Sequence, residues 1–553
     1  MAAAIYYHPE GYTTSTQKLM GRHAAGESFL SGLIRHSEST EFWTQVDEPR
    51  HAQPLAELIS SLGRSQDLKV VTPDVLAALQ SPGALFVPGP DIGTHSWHRA
   101  TAAGSAAWSI TGITHTTSSA GAMDSLASLL TSPVQTWDAL ICTSNAVKEN
   151  VRKVLEAQAN YLAERLGATR IVLPELPVIP LGVNTTDFLV SKGAKQYARA
   201  ELGLHDNEIV VLYMGRLSFH GKAHPVAMYQ SLSAAATKAA VKVTLVECGW
   251  HANEAIKAAF CHAAELIAPN LKVVQLDGRD KGNRYTAYAS ADIFCSFSDN
   301  IQETFGITPI EAMSAGLPVV VSDWDGYRDT VRDGVDGFRI DTTMPRVGLG
   351  KDLAFRHAVN LDSYDRYCGY TSSMVSIDLA QATEAFTKLF SSAALRAQMG
   401  ANGQSRATSD YDWSRIIPEY ENLWAELAKI RVATLAAGRN TTLLETWPAR
   451  LDPFEAFSHY ASHALSEDTM LALTDADLAT AIGRYRKYTG LSMVNYAAEV
   501  LPTESEACAV LTTASLGPRP AIDLISQTQP ERHAKTLRAL TWFVKLGLLR
   551  VVS

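Results

Sequence analysis

Short apolar runs alternate with helical stretches along most of the chain. In the first third, residues 4–7, 68–72, 84–88, 109–114, 139–143 and 171–179 form brief, mostly apolar runs with a good share of Val and Ile. Such runs predict strands buried on both faces of a parallel sheet. Between them lie helical stretches such as 145–166, with Ser144 placed to cap its first turn. The pattern pauses at Leu181-Gly182-Val183-Asn184 and in a polar stretch to about Asn207. It then restarts, with strand candidates at 209–214, 242–248, 271–276, 292–296, 318–322 and 337–340. Two βα arrays joined by a linker predict an α/β protein of two Rossmann-like, doubly wound domains facing a cleft. The expected bounds are 1–185 and 186–435, with 342–374 as a polar, weakly periodic insertion loop.

The segment 439–553 has a different character. It reads as a mainly helical addition whose helix-to-strand close, around Leu537 to Val552, resembles the end of a winged-helix unit. Residues 441–553 carry 10 Lys+Arg and 12 Asp+Glu, so the segment is not basic. A protein-binding or self-association module fits that charge better than a nucleic-acid reader.

Composition narrows the class. The chain has 553 residues, 46% hydrophobic and 19% charged, enough to bury large cores and too apolar for a disordered protein. Its 48 Lys+Arg against 57 Asp+Glu leave a net charge of −9, so no nucleic-acid partner is expected. The six cysteines form no CxxC pair, which suggests neither a zinc site nor a disulfide framework. The first residues lack a basic and an apolar signal region, and no run of about 18 apolar residues occurs. The expectation is a cytoplasmic protein, with room for peripheral attachment to a membrane.

The stretch Asp299 to Met313 holds the most chemistry. Glu303 and Glu311 lie eight apart, and Gly306 with Pro309 places a helix start near Thr308, Pro309 being its first residue. Free amides around Gly306, Ile307 and Thr308 then gather at a helix N-terminus, an anion site. Taken alone, Thr308-Pro309-Ile310-Glu311 reads equally well as a capping box, and Glu303 as an exposed loop acid. Upstream, the strand 209–214 ends in Gly215-Arg216, and Lys222 follows six residues later. Two cations there suit a diphosphate, whose charge grows as it leaves.

The E-x7-E pattern followed by Ala312-Met313-Ser314-Ala315-Gly316-Leu317-Pro318-Val319-Val320 resembles the signature of retaining glycosyltransferases of family 4, which have the GT-B fold. The resemblance covers about residues 1–435. It implies that Glu303 meets hydroxyls of the donor sugar and that the backbone at Phe305, Gly306, Ile307 and Thr308 meets sugar and phosphate. It implies further that Glu311 holds the ribose, and that Arg216 and Lys222 neutralise the leaving diphosphate. His115, at the end of strand 109–114, matches a histidine lining the cleft near the transferred sugar. Arg279, after Gly278, falls where the family cradles the nucleobase. Gly21 and Arg22, with His23, fall at the family's first loop, although the glycines Gly21 and Gly26 are five apart here instead of adjacent. Pro180-Leu181-Gly182-Val183-Asn184 resembles the family's interdomain linker, with Asn for Asp.

The reading is therefore a retaining, metal-independent hexosyltransferase using a nucleotide diphosphate sugar and a glycan or lipid-linked acceptor, in glycan or polysaccharide assembly. No cofactor is expected beyond the co-substrate, and self-association through the C-terminal segment is left open. A nucleotide-sugar epimerase on the same fold, or a non-catalytic nucleotide-sugar-binding regulator, are the alternatives.

Overall fold

The structure is a computed structural model, and the residues it describes are 3–12, 21–65, 67–437 and 443–552; the side chains of residues 10 and 21–24 are also outside that set. The chain divides into two compact units, Met1–Glu445 and Thr446–Ser553.

The first unit contains two six-stranded sheets. The N-terminal lobe runs β1 (Ala4–Tyr6), α1 (Gly21–His36), β2 (Glu41–Gln45), α2 (Gln53–Ser61), β3 (Asp67–Val71), β4 (Ala84–Phe86), α3 (Ile92–Ala102), β5 (Ser109–Ile113), α4 (Ala120–Ser128), β6 (Ala139–Ile141) and α5 (Asn145–Leu166). The C-terminal lobe runs α6 (Ala194–Glu201), β7 (Ile209–Met214), α7 (Val226–Ala239), β8 (Val243–Gly249), α8 (Glu254–Ile267), β9 (Lys272–Asp277), α9 (Lys281–Ser290), β10 (Ile293–Ser296), α10 (Ile307–Ser314), β11 (Val319–Ser322), α11 (Tyr327–Thr330) and β12 (Gly337–Ile340). After it come β13 (Thr342–Thr343), α12 (Lys351–Ala358), α13 (Tyr364–Ser372), β14 (Ser376–Ile377), α14 (Leu379–Ser391), α15 (Ala393–Asp410) and α16 (Trp413–Ala436).

The strand orders are β3-β2-β1-β4-β5-β6 and β12-β11-β10-β7-β8-β9, with every pair parallel. Both are the doubly wound order, which reverses between β1 and β4 in one lobe and between β7 and β10 in the other. A crevice opens beyond the strand ends at each reversal. The central strands are largely apolar because helices cover both faces: β7 (IVVLYM) and β8 (VTLVECG) are buried at every position, and the polar exceptions in β8, Thr244 and Glu247, are hydrogen-bonded to Glu208 and to Tyr229 and Gln275.

Three sequence expectations change. The strand β2, EFWTQ, was not expected from its composition, since polar residues bracket it. It is held beside β1 by Phe42 in the core and by the Thr44 hydroxyl, which donates to the Ile5 carbonyl at 3.0 Å. The run 171–179 is not a strand. It touches β6 only through isolated bridges at Glu175 and Val178, because Pro174 and Pro177 have no N–H to give to a ladder. The span 342–374 is not a loop. It holds the helices α12 and α13, framed by the antiparallel pair β13–β14. Its weak periodicity reflects helices with much of their apolar surface exposed, including Phe355, Val359, Tyr370 and Met374.

The chain crosses between the lobes at two adjoining points. Val183 and Trp413 exchange backbone bonds with the opposite strand: Val183 N donates to Tyr411 O at 2.8 Å and Trp413 N to Val183 O at 3.1 Å. Helix α16 then returns to the first lobe, where Trp424 Nε1 donates to Thr111 Oγ1 at 3.1 Å and Arg431 Nη1 to the Gly83 carbonyl at 2.8 Å. Trp413 itself is fully buried against two backbones: a Cβ at Gly32 or Gly182 would come within 2.4 or 2.5 Å of its ring.

The second unit is built from α17 (Pro453–Ala456), α18 (Leu478–Thr489), α19 (Glu504–Ala514), α20 (Ala521–Leu524) and α21 (His533–Lys545) with a small antiparallel sheet. Its strands are β15 (Met470–Leu473), β16 (Arg519–Pro520) and β17 (Leu549–Val551), in the order β16-β15-β17. Leu471, Val510, Leu511, Leu540 and Phe543 form a core of its own. Among the described residues no helix is long and apolar enough to cross a membrane.

The packing of Trp413 generates a test. Gly182→Ala and Gly32→Ala should each lower stability by about 1–3 kcal/mol through overpacking, read by chemical denaturation. Gly121→Ala, inside α4 with nothing within 4 Å of the new methyl, should not.

Candidate functional site

The loops after β7 and β10 flank the point where the second sheet reverses, and both cations meet the E-x7-E stretch there. Lys222 Nζ donates to Glu303 Oε2 at 2.5 Å, with both side chains largely buried. Arg216 Nη2 donates to Gln302 Oε1 at 3.0 Å and to the Gly221 carbonyl at 2.6 Å. The loop is pinned below by Asn300, whose amide donates to the His220 carbonyl at 2.9 Å. Glu303 lies 81 residues beyond Lys222 in the sequence, and the fold brings it into one cluster with Arg216 and Lys222. Gln302 was not singled out; its position beside Glu303 was the available signal.

Helix α10 starts at Ile307, one residue before the expected start, with Gly306 as its cap and Pro309 third instead of first. Proline is tolerated throughout the first turn because those N–H groups have no intrahelical acceptor. Gly306 has φ +83°, and a Cβ there would lie 1.9 Å from Tyr327 Cε1, so only glycine fits. The Thr308–Glu311 capping box is not formed. Instead the Glu311 carboxylate accepts from the Tyr288 hydroxyl of α9 at 2.7 Å. Burial pushes the Glu311 carboxyl above its ordinary range, opposed by that hydrogen bond and by Arg284 and Lys222. The Phe305 side chain is buried, edge-on to Tyr411, so this residue can offer a ligand only its backbone.

Across the cleft, His115 follows β5. Its carbonyl accepts from Thr304 Oγ1 at 3.3 Å, which sets it beside Glu303. Thr143 Oγ1 donates to the Thr304 carbonyl at 3.3 Å, Ser144 Oγ to Asp325 Oδ1 at 3.1 Å and Asn145 N to Asp329 Oδ2 at 2.7 Å. The insert adds a wall. The Tyr364 hydroxyl of α13 lies 3.2 Å from Ser118 Oγ and 3.5 Å from Thr116 Oγ1, and Gly369 is so close to His220 that a Cβ would fall 2.8 Å from its side chain. Sequence reasoning missed Tyr364 because the insert showed no periodicity to mark a helix.

Other expected residues stand apart. Arg279 is exposed and spends its guanidinium on Asp277, with Nε to Oδ1 at 2.9 Å and Nη2 to Oδ2 at 2.7 Å. Gly21 begins α1, while the side chains of Arg22 and His23 lie outside the described residues, as does the preceding loop 13–20.

Two aspartates beside the cluster have their carboxyls pushed toward the neutral form by their surroundings. Burial pushes Asp299 up to about 7, with the His224 amide bonded to it at 3.3 Å. Burial and the neighbouring Glu303 push Asp325 up to about 8.

With this geometry in hand, the chain can be set beside known proteins. Residues 194–346 match the family model described as Glycosyl transferases group 1, the segment that carries β7 to β13 with Arg216, Lys222, Glu303 and Glu311. The chain is 28% identical over 192 residues to the D-inositol 3-phosphate glycosyltransferase of Nocardia farcinica, covering 33% of this chain and 39% of that protein. It is 29% identical over 160 residues to the phosphatidyl-myo-inositol mannosyltransferase of Mycobacterium leprae, covering 28% and 33%. The chain thus spans about two fifths of the first relative's length and a third of the second's. The crystal structure of Anabaena HepE in complex with UDP superposes with a TM-score of 0.50 at 14% identity, over 77% of this chain and 100% of that one. The fold is GT-B. Fold and family match together support a glycosyltransferase of that architecture.

The raised Asp299 generates a pH test. A carboxyl whose folded pKa lies above its unfolded value stabilises the fold fully below the unfolded value, and that contribution is lost as pH rises through the folded one. For Asp299 the window runs from about 4 to about 7. Asp299→Asn should therefore gain Tm relative to the wild-type chain as pH rises from 4 to 8, by several degrees across the range, measured by calorimetry.

Proposed function

We propose that the chain is a retaining glycosyltransferase that moves a hexose from a nucleotide diphosphate sugar to an acceptor. The observation that carries this is the Lys222–Glu303 pair, joined by Arg216 through Gln302, at the head of α10 and at the reversal point of the second sheet. In this reading the diphosphate lies between Arg216, Lys222 and the free amides of Ile307 and Thr308. Glu311, oriented by Tyr288, takes the ribose hydroxyls, and Glu303 takes hydroxyls of the sugar.

Transfer then needs no covalent intermediate. The bond from the anomeric carbon to the leaving phosphate oxygen breaks, and the acceptor oxygen bonds to that carbon on the same face. The acceptor proton passes to the departing phosphate. Arg216 and Lys222 stabilise the charge developing on that phosphate, which is where binding is worth most to the rate. His115 and the hydroxyls of Thr116 and Ser118 lie on the acceptor side. The names of the two relatives make inositol-bearing acceptors the first to assay; glycan or polysaccharide assembly is the setting proposed for the transfer.

Lys222 has two jobs in this account, and they can be separated. Arg216→Ala and Lys222→Ala should each cut turnover of the sugar nucleotide by about a hundredfold or more. Lys222→Ala should also lower Tm, because it leaves the Glu303 carboxylate buried without a counter-charge. Adding Glu303→Gln should restore Tm and not turnover. Near-normal turnover in both single variants sinks the assignment.

The two glutamates should divide binding from transfer. Glu311→Gln should weaken the affinity for free nucleoside diphosphate in calorimetry. Glu303→Gln should leave that affinity within a few-fold and slow transfer instead. The reverse pattern would show that the roles are exchanged.

A further inference from the structure

Asp325 stands out on three counts that the account above does not use. Among the described residues, only Ala240, Asp325 and Asn360 are non-glycine residues with positive φ. Ala240 and Asn360 follow the ends of α7 and α12, where a left-handed residue closes a helix. Asp325, at φ +45°, closes no helix and lies in the turn between β11 and α11, so its strain needs another reason.

The second count is position. Its turn is laid directly on the loop that carries Glu303. Trp324 Nε1 donates to the Asn300 carbonyl at 3.1 Å, and a Cβ at Gly326 would fall 2.4 Å from both Cα and the carbonyl oxygen of Phe305. From the other lobe, Ser144 Oγ donates to Asp325 Oδ1 at 3.1 Å. Asp325 is thus in the cleft, next to Glu303 and opposite the head of α5.

The third count is that another acid already joins the lobes at the same place. The first free amide of α5, Asn145 N, is already taken by Asp329 at 2.7 Å. Asp325 is a second carboxyl at the same junction, half-buried, in a conformation that glycine would adopt more cheaply. A strained acid kept where a small residue would serve is what a site for a ligand looks like.

We propose that Asp325 is a further binding residue of the transferred-sugar subsite, its carboxyl group holding a sugar hydroxyl beside Glu303. The inference rests on the donor reading above. The Ser144 hydroxyl donates to Oδ1, so a protonated Asp325 carries its proton on the other oxygen and offers it to a ligand oxygen. The groups facing it are Glu303, whose charge is shared with Lys222, and Asp329, whose charge is met by the α5 amide. Burial first, and then the neighbouring Glu303 and Asp329, push the Asp325 carboxyl up to about 8, against the hydrogen bonds from Ser144 and the Gly326 amide. Above that pH the carboxylate loses its donor and repels Glu303.

The test uses the full chain with UDP-glucose, GDP-mannose and ADP-glucose, reading release of nucleoside diphosphate from pH 6 to 9.5. The wild-type rate should fall about tenfold or more from pH 7 to 9.5. Asp325→Asn keeps a donor at that oxygen and cannot ionise, so its profile should be flat over the same range. Asp325→Gly relieves the backbone and removes the carboxyl. It should slow release about tenfold or more at pH 7 while Tm holds or rises. An Asn variant that keeps the wild-type profile, a wild-type profile without the decline, or a Gly variant with normal turnover overturns the inference and leaves the donor reading standing. A Gly variant that loses Tm in proportion to its rate makes Asp325 a strut between the lobes and also overturns it. A wild-type chain that releases nothing from any of the three sugars overturns the donor reading, and the inference with it.

Discussion

The two sheets of the first unit can face each other only because the chain passes between them twice at one place. Val183 going out and Trp413 coming back are joined by backbone hydrogen bonds, and the indole of Trp413 fills the space between the backbones at Gly32 and Gly182. Asp412 completes the junction, accepting from Thr185 on one oxygen and capping α16 with the other. Everything at the cleft inherits its spacing from here. The loops after β5 and β6 belong to one lobe, those after β10 and β11 to the other, and no local interaction within either lobe fixes their distance.

The cleft also shows how polar groups are kept in a half-dry space. Lys222 and Glu303 compensate each other, Glu311 is held by a tyrosine hydroxyl, and burial biases Asp299 and Asp325 toward their neutral forms. Each solution avoids an isolated buried charge, which is the costly alternative. In the proposed function, a bound diphosphate would enter this balance by competing with Glu303 for Lys222. Lys222 is thus held in a pair that a more highly charged anion can displace.

The insert formed by α12 and α13 changes the boundary of the site. Gly369 gives α13 room to sit on His220, and Tyr364 reaches the hydroxyls of Thr116 and Ser118 across the cleft. One helix therefore touches both the cation loop of one lobe and the His115 loop of the other. In the proposed function, where the acceptor enters between the lobes, this wall places the insert among the elements that would set acceptor choice.

The sequence by itself determined the two parallel sheets, because strands buried on both faces must be mostly apolar, as β7 (IVVLYM), β10 (IFCS) and β11 (VVVS) are. It also determined the chemistry at single loops: Gly306 before a helix start, Arg216 and Lys222 after one strand, Glu303 after another. It could not show β2, whose polar ends fit an exposed segment as well, nor the insert, whose apolar residues stay largely at the surface and leave no period. Tertiary structure alone decided which of these loops meet. Lys222 and Glu303 are 81 residues apart, Ser144 and Asp325 181, and Tyr364 and Ser118 246. Their contacts depend on strand order and on the paired crossings at Val183 and Trp413, neither of which leaves a mark in local periodicity.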